Sequence, residues 1–225
     1  MPQQLSKNCG ARRGSAKPDY VMIHYTDLPT ASCAIEMLCH ERSGVSAHYV
    51  VTRWGQIINL VHENKRAWHA GVGSWHGIRD MNSRSIGIEL DYPGIHSGAK
   101  PYPDIQLSSL LRLLKGIFQR WDIRPEHVIG HSDYAPDRKI DPGSFFPWGV
   151  LAMHGFAISP PSHMVPTNKA LDELLVQFGY DVPMFGVPLC KRAFQNRFLY
   201  GQSVSDDICA CFAAAILDNN MLFLK

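Results

Sequence analysis

No apolar run in the 225-residue chain approaches the roughly 20 residues that a membrane-spanning helix needs. Charge is sparse, at 19% of residues. Lys and Arg exceed Asp and Glu by only two, and no basic run appears, which argues against a nucleic-acid binder. The six cysteines (Cys9, Cys33, Cys39, Cys190, Cys209 and Cys211) form no CxxC pair, and Cys209-Ala-Cys211 is a poor metal half-site. A chain this long does not need disulfides, so reduced, mostly buried thiols are expected. There is no HExxH run, heptad array, low-complexity tract or internal repeat. The segment before Cys9 lacks the apolar core of a secretion signal, which favours a cytoplasmic protein.

What the chain has in quantity is histidine, eleven in all, set in a pattern of alternating strands and helices. Residues 20–25 alternate, with Val21, Ile23 and Tyr25 on one face and Met22 and His24 on the other. Residues 30–42 read as a helix capped by Thr30, and 47–52 with 56–61 as a hairpin across Arg53-Trp54-Gly55. After a loop rich in Gly, Trp and His over 67–84, residues 86–90 form another strand. The clearest helix follows a turn-rich stretch: Leu107, Leu110, Leu111, Leu114, Ile117, Phe118 and Trp121 recur at helical spacing behind Asp104. A strand at 127–130 and a helix from Phe145 to about Gly155 close an α/β unit. The expected architecture is a mixed β-sheet flanked by helices over residues 1–158, with 1–19 as an arm lying over it. Residues 159–166 read as a Pro-rich linker, and 167–225 as a small all-α unit of three helices, at 168–179, 188–199 and 204–219.

One stretch concentrates chemistry. His131 stands where the strand at 127–130 ends, and a loop stiffened by Pro136 and Pro142 returns Asp141 ten residues later, with Lys139 beside it. Imidazole, carboxylate and ammonium on one rigid loop suit a metal-centred hydrolytic site. A solvated surface loop fits the same residues equally well. A catalytic zinc needs three protein ligands and an open fourth position, so His24, at the end of an apolar strand, becomes the candidate third ligand, or else a satisfied core histidine. Glu89, between Ile88 and Leu90, is expensive to bury unless it is paired or used. It reads as a proton acceptor, or as a carboxylate facing outward.

Five separated motifs then agree in order and spacing: Val21-Met-Ile-His24-Tyr-Thr, Ser46-Ala-His48-Tyr, Arg66-Ala-Trp-His-Ala-Gly71, Asn82-Ser-Arg-Ser-Ile-Gly-Ile-Glu89-Leu, and Gly130-His-Ser-Asp with Arg138-Lys-Ile-Asp-Pro-Gly143. Over residues 8–155 the chain resembles the zinc-dependent N-acetylmuramoyl-L-alanine amidases of the AmpD and AmiD type. The resemblance implies one zinc ion per chain held by His24, His131 and Asp141, with Glu89 as general base and Lys139 stabilising the oxyanion. It also implies hydrolysis of the amide between N-acetylmuramic acid and L-alanine in peptidoglycan or muropeptides. Related phage lysozymes and animal recognition proteins carry a tyrosine before the middle-strand histidine and often a cysteine ligand. Here Ala47 and Asp141 stand instead, which favours the branch that uses Glu89.

Trp68, His69, Asn82 and Arg84 are expected to line the substrate groove, with His48 a packed sheet residue. His40, His62, His76, His96, His127, His154 and His163 are expected at the surface or in supporting positions. The tail resembles peptidoglycan-binding domains through Leu174-Leu-Val-Gln-Phe-Gly-Tyr180 and Ala193-Phe-Gln-Asn-Arg-Phe198. An appendage that only covers apolar surface fits it as well. A wall-binding tail would point to the periplasm or envelope. The rival function is a module that holds muropeptide without cutting it, but such modules usually lack a ligand, and here the full set is present.

Overall fold

The computed structural model describes residues 5–14, 17–94 and 101–220. In chain order its first unit contains β1 (Cys9–Ala11), β2 (Tyr20–Tyr25), α1 (Ala31–Cys39), β3 (Tyr49–Val51), β4 (Ile57–Asn59) and β5 (Lys65–Ala67). It continues with α2 (Met81–Arg84), β6 (Ser85–Leu90), α3 (Asp104–Arg120), β7 (Val128–Gly130), α4 (His131–Tyr134) and α5 (Trp148–Met153). The tail holds α6 (Leu171–Phe178), α7 (Val182–Phe185), α8 (Val187–Phe198) and α9 (Asp206–Asn220).

Five strands make the main sheet in the order β4-β3-β6-β2-β7. β3, β6, β2 and β7 run parallel, and β4 returns antiparallel from the β3 hairpin at the edge. A parallel sheet is stable when both faces are covered, and every residue of β2 is buried. The alternation read from the sequence divides its side chains as expected. Val21, Ile23 and Tyr25 join Leu110, Leu114 and Ile117 of α3 in one apolar cluster. Tyr20 and Met22 join Leu174, Leu175 and Phe178 of α6 and Phe194 of α8 in another. The tail is therefore one of the two layers that cover the sheet.

Thr30 caps α1 as expected, its hydroxyl accepting from the Cys33 amide at 3.3 Å. Four features were not anticipated. β1 pairs antiparallel with β5 through backbone groups that carry no side-chain pattern, so part of the expected arm is a strand. α2 is a single turn inside the expected loop. Residues 131–134 form one helical turn, because the Asp133 carboxylate accepts the Gly130 amide at 2.8 Å and fixes the chain's turn out of β7. The tail contains a fourth helix, α7, begun by the Asp181 side chain accepting the Met184 amide at 3.1 Å. None of the six cysteines forms a disulfide, and Cys39, Cys190 and Cys209 are buried. Of the arm and the turn-rich stretch before α3, residues 1–4, 15–16 and 95–100 lie outside the described residues.

Phe194 is fully buried in the cluster shared by sheet and tail. Phe194→Ala is expected to cost about 3–5 kcal/mol, and to lower a single cooperative transition that includes the sheet. Urea unfolding followed by tryptophan fluorescence checks this. Two separate transitions, only the weaker one shifted, would show that the tail folds by itself.

Candidate metal centre and active site

Register delivers the chemistry. In the parallel pair β2·β6, His24 lies opposite Glu89, and in β2·β7, Ile23 lies opposite Gly130, so that His131 emerges next to His24. The three residues gather at the carboxyl ends of parallel strands, where open α/β sheets leave a crevice. Asp141 is brought in by its loop, whose carbonyl at 141 accepts the Ser132 amide at 2.9 Å. Tyr102 steadies the same loop, its hydroxyl donating to the Pro142 carbonyl at 2.9 Å.

His24 Nδ1 and His131 Nδ1 lie 3.0 Å apart, and each is 3.1 Å from Asp141 Oδ2. The remaining hydrogen bonds assign the protons. His131 Nε2 faces the Ala70 carbonyl at 2.9 Å, an acceptor only, so Nε2 donates, and in the matching neutral tautomer Nδ1 presents a lone pair. The Ser85 hydroxyl donates to the Met81 carbonyl at 2.6 Å, which leaves its lone pair for His69 Nε2–H at 3.4 Å. His69 Nδ1 then accepts His24 Nε2–H at 3.0 Å, and His24 Nδ1 is also a bare lone pair. When both imidazoles are neutral, three acceptors face one another across this gap, an arrangement that a bound cation satisfies. Zinc bonds of about 2.0–2.1 Å in a tetrahedral array place ligand atoms about 3.3 Å apart, so the donor set fits such an ion. His24, His131 and Asp141 are all buried, and among the described residues they form a group able to hold a metal.

Electrostatics follow from that packing. Burial and the neighbouring His131 push the His24 pKa down to about 4, against the pull of Asp141, so the imidazole is neutral. Burial alone would raise Asp141, but His131 and His24 outweigh it and hold the carboxylate below its usual range. Glu89 goes the other way: burial and then the charge of Asp141 raise its pKa well above the ordinary carboxylate value, with Lys139 opposing. Its Oε2 is shielded from solvent and has no hydrogen-bond partner. An orphaned carboxylate oxygen beside a cation site is placed to act on whatever occupies the fourth position.

His24, Glu89, His131, Lys139 and Asp141 share one cavity of about 380 Å³ with Trp68 and His69. His69 touches the site through His24. Asn82 and Arg84 do not line this cavity. Asn82 Oδ1 accepts the amides of His69 and Ala70 at 2.9 and 2.8 Å, holding the 68–71 loop against His24 and His131. Arg84 pairs with Asp19 and lies over the Tyr20 ring. His48 is packed and hydrogen-bonded, as expected, but sits just ahead of β3 rather than in it: Nδ1 accepts the Gly87 amide at 2.9 Å and Nε2 meets the Lys65 carbonyl at 3.0 Å. His96 lies outside the described residues. The cavity also takes in Asp27, Met37 and Arg138, which the sequence reading did not single out. Arg138 donates to the Val72 carbonyl at 2.9 Å, and its only sequence signal was its place beside Lys139.

Fold and site together suit a hydrolase with a candidate metal centre at the strand ends. The profile of the N-acetylmuramoyl-L-alanine amidase family (Amidase_2) matches residues 14–144, and the chain belongs to that family. It is 35% identical over 223 residues to the N-acetylmuramoyl-L-alanine amidase AmiD of Escherichia coli, covering 87% of this chain and 80% of that one. It is 42% identical over 105 residues to the 1,6-anhydro-N-acetylmuramyl-L-alanine amidase AmpD of Haemophilus influenzae, 46% of this chain and 55% of that relative. Among solved structures, E. coli AmiD in complex with anhydro-N-acetylmuramic acid-L-Ala-D-gamma-Glu-L-Lys superposes with a TM-score of 0.77 at 31% identity, covering 95% of this chain and 98% of that one. AmpDH3 from Pseudomonas aeruginosa gives 0.80 at 28% identity, covering 92% and 94%.

His24→Ala, His131→Ala and Asp141→Ala each leave two ligands, and each is expected to lose bound metal and activity together. Elemental analysis of the purified variants is the check, and full occupancy in one would remove that residue from the ligand set. A second expectation concerns the metal-free protein. Folding raises the Glu89 pKa, so above about pH 4.3 the folded chain holds more protons than the unfolded one, and stability falls as pH climbs towards the folded value. Glu89→Gln removes that fall. In chelator the variant should melt above wild type near neutral pH, with the gap closing below the unfolded pKa.

Proposed function

We propose that the chain hydrolyses the amide joining the lactyl group of N-acetylmuramic acid to the L-alanine of a stem peptide, using one zinc ion held by His24, His131 and Asp141. The observation that carries this is the convergence of two imidazole nitrogens and a carboxylate oxygen beside the unpartnered oxygen of Glu89. When bound, zinc supplies a Lewis acid that polarises the scissile carbonyl and makes water easier to deprotonate at neutral pH. Glu89, with its raised pKa, takes a proton from the attacking water and returns it to the departing amine. Lys139 lines the same cavity and brings positive charge to the oxygen of the tetrahedral intermediate. Trp68 forms part of the wall against which substrate lies.

A muropeptide is the proposed substrate class. Related structures of AmiD and AmpDH3 hold anhydromuramyl peptides, and this chain aligns with more than nine-tenths of each. Mass spectrometry of products from a defined anhydromuropeptide, with zinc and with chelator, tests the bond. Release of the intact stem peptide only in the metal-loaded reaction is expected, and cleavage within the stem would overturn the assignment.

Glu89→Gln and Lys139→Ala separate the two residues' roles, since neither is a ligand. Both should retain zinc. Glu89→Gln keeps shape but accepts no proton, so kcat should drop about 10²–10⁴-fold. The acidic limb of its rate profile should change too, because that limb reports Glu89 and the water as a coupled pair. Lys139→Ala should lower kcat more than it raises KM, since its charge matters most in the transition state. Steady-state kinetics with confirmed metal content check both.

A further inference from the structure

We propose that Arg197 and Tyr180, on the helical tail, are positioning residues for His131. Arg197 Nη1 meets Asp133 Oδ2 at 2.6 Å, and Nη2 donates to the Val128 carbonyl at 2.9 Å. One planar guanidinium therefore ties a point three residues before His131 to a point two residues after it. Tyr180 completes the grip, its hydroxyl donating to Asp133 Oδ1 at 2.7 Å. Asp133 Oδ2 in turn accepts the Gly130 amide at 2.8 Å, immediately ahead of the ligand.

The grip is rigid. The Arg197 and Asp133 side chains are 2% and 1% exposed, and the guanidinium carbon lies 4.5 Å from the Trp148 ring centroid and 5.1 Å from that of Phe198. The segment it holds has no slack, because a Cβ on Gly130 would come within 2.8 Å of Pro142 in the loop that carries Asp141. The tail also reaches the ring side of His131. The Gly179 carbonyl accepts the His76 amide at 2.8 Å, and Trp75 pairs with Tyr180, anchoring the loop whose Ala70 carbonyl receives His131 Nε2–H.

A buried ion pair is a weak source of stability, since well-packed apolar residues of similar size often do as well. The apolar cluster around it already joins tail and sheet. What an apolar pair cannot do is fix two backbone points and a capping carboxylate at once, and groups that orient metal ligands commonly govern metal affinity by 10–100-fold.

The inference rests on His131 as a metal ligand, and the test separates the two claims. Full-length wild type, Tyr180→Phe, Arg197→Met and Lys191→Met are loaded with Co²⁺. The dissociation constant is measured by chelator competition, the ligand-field spectrum is recorded, and kcat and KM are taken with zinc. Lys191→Met breaks an outer ion pair with Asp206 on the same tail and is the control. Expected for Tyr180→Phe and Arg197→Met is Co²⁺ binding weakened by about tenfold or more, with an altered spectrum, lower kcat and near-normal KM, while the control matches wild type. Should Arg197→Met fail to fold, Tyr180→Phe decides alone, since it loses one hydroxyl and keeps its ring packing. Folded variants with wild-type cobalt affinity and spectrum would overturn the inference while leaving the metal site standing. A wild-type chain that binds no cobalt would overturn both.

Discussion

Two imidazole lone pairs and a carboxylate oxygen, held within 3.0–3.1 Å of one another in a buried pocket, repel unless a cation or added protons lie between them. Much of the structure serves to hold that arrangement. The parallel register sets His24 beside Glu89 and aims His131 at the same point. The 68–71 loop receives the far nitrogen of each histidine, at His69 and at the Ala70 carbonyl, and so turns both near nitrogens towards Asp141. Asn82, behind that loop, accepts two of its amides. Removing any one of these contacts would leave an imidazole free to rotate or change tautomer.

The same pocket separates two carboxylates by environment. Asp141 faces two imidazoles and is held ionised, whereas Glu89 faces burial and the charge of Asp141 and is pushed towards its neutral form. A cation bound between the histidines and Asp141 would reverse the second effect, drawing Glu89 back towards the ionised state that a proton acceptor needs. In the proposed mechanism, metal binding and the readiness of the base are thus coupled through one pair of charges.

The central part of this was legible in the sequence. A histidine on the inward phase of an alternating strand, a carboxylate within an apolar strand and a His-to-Asp loop of fixed length all carry periodicity or spacing, and the structure brings them together. The support around them was less legible. Asn82 and Arg84 look alike as polar groups near a Trp-His loop. Only tertiary contacts show that one props the loop and the other pairs with Asp19. The helical turn at 131–134 depends on a single side-chain cap, too short for any periodic signal. The tail's apolar spacing announced helices, but spacing alone does not say what they cover. In the structure Leu174, Phe178 and Phe194 pack in one cluster with Tyr20 and Met22 of the sheet.

Anomalous-difference crystallography at the zinc edge tests the central claim most directly. One peak is expected, about 2.0–2.1 Å from His24 Nδ1, His131 Nδ1 and Asp141 Oδ2, with His69 and Glu89 uncoordinated. A peak ligated through Nε2 of either histidine, a peak that includes His69, or no peak at the triad in zinc-loaded crystals would contradict the proton assignment and the site built on it.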